Sequence, residues 1–294
     1  MILNKKIINI LGDDFLIKET FRINDLEQYR LDVYIHDESV EIPLSHERPF
    51  VLVCPGGGYA MTSDREADPI ALAYLAEGFH AGVLRYSVGM DASNLNPLVD
   101  LSVALKIIRE NADKWHVSPD KIAIVGFSAG GHLVAMQGVH WNDPEIMKRS
   151  GCENGENKPN ALILGYPVIT SNCFSHKGSM QNLLRETFEM NDQAEIDKMV
   201  DYAACERHVG PHTPPTFILH TCKDQVVPVM NALVFAEALA KNKIDFEMHI
   251  FEEGCHGQAT GDYKTDFGPS QFDKKRPLSA WIKMSCDWLW SHFK

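Results

Sequence analysis

The feature that most constrains this chain is an apolar run, Ile122 to Val125, that passes directly into Gly126-Phe127-Ser128-Ala129-Gly130 and then into the helix-capable stretch GHLVAMQG. A strand that turns at once into a helix leaves its central residue on a tight, strained bend. Small residues at 126 and 130 let the backbone fold sharply and push the Ser128 hydroxyl into the open. The N-terminus of the following helix favours negative charge developing at the same spot. A bare Gly-x-Ser-x-Gly is a common accident and otherwise reads as a glycine-rich turn with an incidental serine. The strand before it and the helix after it separate the two readings.

The same elements account for residues 122–142, which carry no formal charge for 21 residues and are long enough to resemble a membrane span. Four glycines together with Ser128, His132, Gln137 and His140 fit a strand, a turn and a helix better than a lipid-facing helix. The 294-residue chain has a net charge of −12, and such a surface repels phosphate backbones and anionic headgroups, so neither nucleic acid nor a membrane is an expected partner. The apolar run at the N-terminus stops at Gly12, too short for a secretion signal. Seven cysteines, an odd number without a CxxC pair, suit reduced thiols and a cytoplasmic protein, each filling a small half-buried apolar position.

Strand-like runs recur at 29–35, 49–54, 80–86, 121–125, 161–169, 216–221 and 246–251, with helical patterns between several of them. Asp68-Pro69 opens one helix that stops at Gly78. Asn96-Pro97 opens another, in which Leu98, Leu101, Leu105 and Ile108 form one stripe, and 228–241 repeats the pattern. This alternation predicts an α/β fold with a mostly parallel central sheet and helices on both faces. Without repeats or linkers, residues 1–294 read as a single domain. The excursion at 171–215 is longer than ordinary connections and reads as a lid or substrate wall within it.

A serine hydroxyl is a weak nucleophile at neutral pH and needs a base held in place by an acid. In sheet-based hydrolases the three follow the chain order Ser, Asp or Glu, His. Asp224 follows the strand TFILHTC, although it can also be read as a helix cap before Pro228. His256 follows FEMHIF, between Gly254 and Gly257, and 32 residues separate the two, room for one helix and one strand. Of thirteen histidines, His256 alone combines a late position, a strand end and flanking glycines. After PFVLV, Cys54-Pro55-Gly56-Gly57-Gly58-Tyr59 offers unobstructed backbone N–H groups for an oxyanion, with Ala129 N–H as their partner; alternatively it is a plain turn.

CPGGGYAMTSDREADPIALAYL, GFSAGGHL, TPPTFILHTCKDQVVPVMNALVFAEAL and HIFEEGCHG resemble the corresponding blocks of α/β-hydrolase esterases. The resemblance is to the hormone-sensitive-lipase-like branch with its bacterial acetyl esterases and xylan-esterase-related carbohydrate esterases, and it covers about residues 49–257. It implies the α/β-hydrolase fold, Ser128 as nucleophile, Asp224 as acid, His256 as base, and Gly57, Gly58 and Ala129 as oxyanion donors. The branch's HGGG reads PGGG here, so Pro55 has no side chain to hold the loop by a hydrogen bond, and Gly56 stands beside Gly57 and Gly58 as a candidate donor.

Tyr59, Arg65, Glu66 and Glu206 are candidates for substrate contact; a salt bridge or helix cap is the alternative for Arg65 and Glu66, and a solvated charge for Glu206. His132 reads as a packed histidine rather than a second base. His208 and His212 are separated by Gly210-Pro211, and no HExxH occurs, so no metal and no cofactor are expected. The expected activity is hydrolysis of short-chain, acetyl-type esters of carbohydrates or other small polar alcohols through an acyl-enzyme. A peptidase or an arylformamidase on the same fold, and a catalytically silent binding protein, are the alternatives. The partner is a small-molecule ester; a homodimer is compatible with the sequence.

Overall fold

Strands that read as almost continuous apolar runs must be covered on both faces. The computed structural model describes residues 16–42, 47–266 and 278–293, and it places eight strands there. They are β1 (Leu16–Arg22), β2 (Arg30–His36), β3 (Arg48–Cys54), β4 (His80–Arg85), β5 (Val117–Phe127), β6 (Ala161–Gly165), β7 (Thr216–Thr221) and β8 (Phe246–Phe251). They form one sheet in the order β1-β2-β4-β3-β5-β6-β7-β8. β3 to β8 are mutually parallel, and β2 runs antiparallel to both its neighbours.

The helices are α1 (Asp68–Ala76), α2 (Asn96–Glu110), α3 (Ala112–Trp115), α4 (Ala129–His140), α5 (Pro144–Ser150), α6 (Lys177–Leu183), α7 (Arg185–Glu189), α8 (Gln193–Tyr202), α9 (Met230–Lys241) and α10 (Ala280–His292). Period-two alternation in β5 splits the core. Ile122 and Ile124 join one cluster with the apolar stripes of α2, α4 and α9, while Ala123, Val125 and Phe127 join the other with α1 and α10. The expected layering of helices on both faces is therefore present.

The larger differences from the sequence pattern lie in β6, β5 and β1. β6 ends at Gly165 rather than 169, because Tyr166 turns to a φ of 36° and Pro167 has no N–H for the ladder. β5 begins at Val117, and its register with β3 shifts between Arg48 and Phe50. β1, LIKETFR, escaped the pattern altogether; it pairs with β2 alone and leaves most of its residues partly or fully exposed, so no apolar alternation marks it. The 171–215 excursion folds as α6, α7 and α8 between β6 and β7. No described helix is long and apolar enough to cross a membrane. The expectation about residues 1–12 falls outside the described residues. No disulfide joins any two of the seven cysteines among the described residues.

Three histidines are buried as neutral rings. Burial pushes His80 down to about 3 and His132 and His140 each down to about 4. In the unfolded chain these rings take up a proton near pH 6.5, which the folded state does not do until lower pH. Folded pKa values below the unfolded ones mean that stability is complete above about pH 6.5 and is lost as pH falls toward 4, by up to about 1.4 kcal/mol per pH unit per ring. The melting temperature is expected to drop by several degrees between pH 7 and pH 5, as a scan by circular dichroism would record. A flat profile over that interval would mean the rings are protonated in the fold.

Candidate active site

The bend after β5 holds Ser128 at φ 54°, ψ −117°, a backbone state costing on the order of 1–3 kcal/mol. Hydrogen bonds fix it: Ser128 N–H donates to Gly165 O (3.0 Å), and Ser128 O accepts from Val168 N–H (3.0 Å). The helix start is pressed against the end of β3, where a Cβ on Gly130 would lie 2.1 Å from Cys54 O. A glycine there is thus a packing requirement, which is why the motif reads so clearly in the sequence.

The loops after β7 and β8 bring Asp224 and His256 to the same edge. His256 Nε2 lies 2.8 Å from Ser128 Oγ, and His256 Nδ1 lies 2.7 Å from Asp224 Oδ2. A carboxylate only accepts, so Nδ1 carries the proton and Nε2 faces the serine as an acceptor. Asp224 Oδ1 accepts the backbone N–H groups of Val226 and Val227, both at 2.9 Å. Burial pushes the Asp224 carboxyl up, but donors from His220 and His256 outweigh burial and hold it well below the usual carboxylate range. His220, fully buried one helical turn's spacing before Asp224 and 3.5 Å from its Oδ2, went unread in the sequence because its partner is set by a loop.

The glycine loop has its own anchors. Gly56 N–H donates to Glu66 Oε2 (2.8 Å), which removes it from the candidate oxyanion donors and leaves Gly57 and Gly58. Gly57 has a φ of 131°, and a Cβ there would fall 2.3 Å from Met61 O. Tyr86 O–H donates to Pro55 O, Asn182 Nδ2 to Gly58 O (2.9 Å) and Gly89 N–H to Tyr59 O (2.7 Å). These bonds hold the loop without a side chain at Pro55.

The four residues considered for substrate contact each have partners within the protein. The Tyr59 ring is fully buried and donates its O–H to His132 Nδ1 (2.9 Å), while His132 Nε2–H donates to Ala203 O (2.8 Å). Tyr59 therefore braces the loop from below, and His132 is packed as expected. Glu66 also points inward, 4% exposed, with Oε1 accepting from Tyr166 O–H (2.8 Å). Arg65 donates to Gly257 O (2.6 Å) and Thr265 O (2.7 Å), tying the loop after β3 to the loop of His256. Glu206 Oε1 accepts from Thr170 O–H (2.8 Å). The charge patterns of these residues gave no hint that they face inward. His208 and His212 donate to the separate carbonyls of Asp201 and Val139, and no cluster of three metal-ligating side chains occurs among the described residues.

Comparison with known proteins places the chain in a family. The BD-FAE family model matches residues 31–239. The chain belongs to the BD-FAE family. This member is 36% identical over 260 residues to endo-1,4-beta-xylanase B of Butyrivibrio fibrisolvens, covering 85% of this chain and 38% of that one. It is 29% identical to an acetylxylan esterase of Xylanibacter ruminicola, over 71% of this chain and 41% of the relative. The BD-FAE chain thus spans about two fifths of the length of these curated relatives. Among solved structures, an acetyl ester-xyloside bifunctional hydrolase from Caldicellulosiruptor lactoaceticus superposes with a TM-score of 0.75 at 30% identity, covering 93% of this chain and 96% of the other. The sheet order and these likenesses make the fold that of an α/β-hydrolase.

Proposed function

We propose that this protein is a serine carboxylesterase for short acyl esters, chiefly acetyl esters of carbohydrates or similar polar alcohols. The observation that carries the reading is the unbroken line Ser128 Oγ, His256 Nε2, His256 Nδ1, Asp224 Oδ2, with contacts of 2.8 and 2.7 Å. In this reading His256 takes the Ser128 proton as Oγ bonds to the ester carbonyl carbon. Asp224 stabilises the imidazolium, and the N–H groups of Gly57, Gly58 and Ala129 hold the oxyanion. His256 then returns the proton to the departing alcohol; water, deprotonated in turn by His256, attacks the acyl carbon, and the proton passes from His256 to Ser128 Oγ as the acid leaves.

The acetyl preference draws on the relatives named above, and the 171–215 segment supports polar substrates. Neither α7 nor α8 buries a residue, and their outer faces carry Glu186, Glu195, Asp197 and Lys198, a poor surface for lipid. In this reading the segment is the wall of the substrate site. kcat/KM is expected to fall from acetyl to butyryl to octanoyl p-nitrophenyl esters, by about tenfold or more overall, because methylenes that find no apolar pocket stay in water or clash. A maximum at octanoyl would overturn the acetyl reading; no turnover of any of the three would overturn the esterase reading itself.

A further inference from the structure

The N-cap of α6 is an imidazole. His176 Nδ1 accepts the Ser179 backbone N–H at 3.3 Å and lies 2.8 Å from the Ser179 hydroxyl. A backbone N–H only donates, so Nδ1 offers its lone pair and the neutral ring carries its proton on Nε2. Burial and the neighbouring His256 both lower the pKa of this ring, which keeps it neutral. The ring sits over the glycine loop, since a Cβ on Gly58 would meet His176 Cε1 at 3.9 Å and Ser179 Oγ at 4.0 Å. An N–H donor from the insertion therefore stands beside the loop that supplies Gly57 and Gly58.

Further along α6, Asn182 is bonded to Gly58 O and accepts from Arg185 Nη2 at 3.0 Å. Asn182 and Arg185 line a cleft of about 600 Å³ together with Gln181, Phe188 and Glu189, a volume typical of small-molecule sites. A half-buried aromatic ring beside amides, a guanidinium and a carboxylate is a poor receptor for an acyl chain. It suits a sugar ring, whose C–H face packs on Phe188 while its hydroxyls find both donors and acceptors.

We propose that this cleft and the His176 ring beside the glycine loop together bind the alcohol half of the substrate as a sugar ring. The proposal rests on the esterase reading above and adds the location of the sugar. His176→Asn keeps a side-chain acceptor for the N-cap but is too short to present the donor; Phe188→Leu keeps apolar packing and removes the flat face. Each variant is compared with wild type on a mono-O-acetyl methyl β-D-xyloside and on p-nitrophenyl acetate.

Each substitution is expected to lower kcat/KM for the acetyl xyloside about tenfold, mainly through KM, with p-nitrophenyl acetate changed less than about twofold. Equal losses on both substrates, or no loss on the xyloside, would overturn the sugar cleft while leaving the esterase reading intact. A wild-type enzyme that cleaves p-nitrophenyl acetate but not the xyloside would overturn both the cleft and the carbohydrate preference. Inactivity on both would overturn the esterase reading and the cleft with it.

Discussion

Replacing Ser128 with alanine is expected to lower kcat on p-nitrophenyl acetate by about 10³-fold or more without unfolding the protein. The change removes the hydroxyl placed 2.8 Å from His256 Nε2 and leaves the backbone of the bend as it is. Its hydrogen bonds to Gly165 and from Val168 are made by main-chain atoms, and alanine tolerates a φ of 54° as poorly as serine does, so stability should move little. The activity that remains reflects substrate held against the loop amides, where water must attack without a covalent intermediate. A fluorophosphonate should add its mass at Ser128 alone, read by peptide mass spectrometry. Labelling at another serine, or an alanine variant with wild-type turnover, would dismantle the assignment.

Glu66→Ala is expected to cost about 10²-fold in kcat although both carboxylate oxygens of Glu66 are engaged inside the protein. Its carboxylate joins the two halves of the site. One oxygen receives the Gly56 N–H beside the candidate oxyanion donors, and the other receives the Tyr166 hydroxyl, which in turn accepts Ala259 N–H at 2.9 Å. The Tyr166 ring packs edge-on to His256, with centroids 5.1 Å apart. Burial holds the Glu66 pKa above the usual carboxylate value, and the Tyr166 and Gly56 donors and the nearby His256 offset only part of that rise. Alanine would leave the Gly56 N–H and the Tyr166 O–H without acceptors, at a cost of about 1–3 kcal/mol each. The loop would then shift to recover partners, and displaced oxyanion donors are worth about 10²–10³-fold in rate.

Glu66→Gln separates positioning from packing. Its amide oxygen still accepts from Gly56, and its NH₂ can donate to the Tyr166 oxygen, so kcat should stay within about tenfold of wild type. A loss of stability alone would lower the melting temperature of both variants and leave kcat per folded molecule untouched. If Glu66→Ala turns over at the wild-type rate, the carboxylate is only a buried structural group.

The parts of this protein that were legible in the sequence are those governed by local chemistry. The serine bend could be read because close approach of Gly130 to Cys54 and the strained backbone at 128 leave few residue types at those positions. β7 and β8 could be read to the residue as apolar runs bounded by turn signals, and the stripe of α2 by its spacing. β1 was illegible because an exposed edge strand has no face that must be apolar.

The chain order Ser128, Asp224, His256 was likewise in the sequence, but that they meet was not. Three loops from β5, β7 and β8 converge only because parallel strands end on one edge of the sheet. The tertiary structure alone decided the fate of the polar residues around them. Tyr59, Arg65 and Glu66 could be read from sequence as ligand contacts or as local polar groups, and only the fold shows the backbone and buried rings that each one bonds. The Gly56 N–H is taken up by a carboxylate ten residues away, and His176 and Asn182 reach the glycine loop from more than a hundred residues along the chain. The physical reason is that backbone strain and apolar periodicity are properties of neighbours in sequence. A buried N–H, carboxylate or imidazole must be satisfied by whatever the fold brings within 3 Å, and only the packed chain determines what that is.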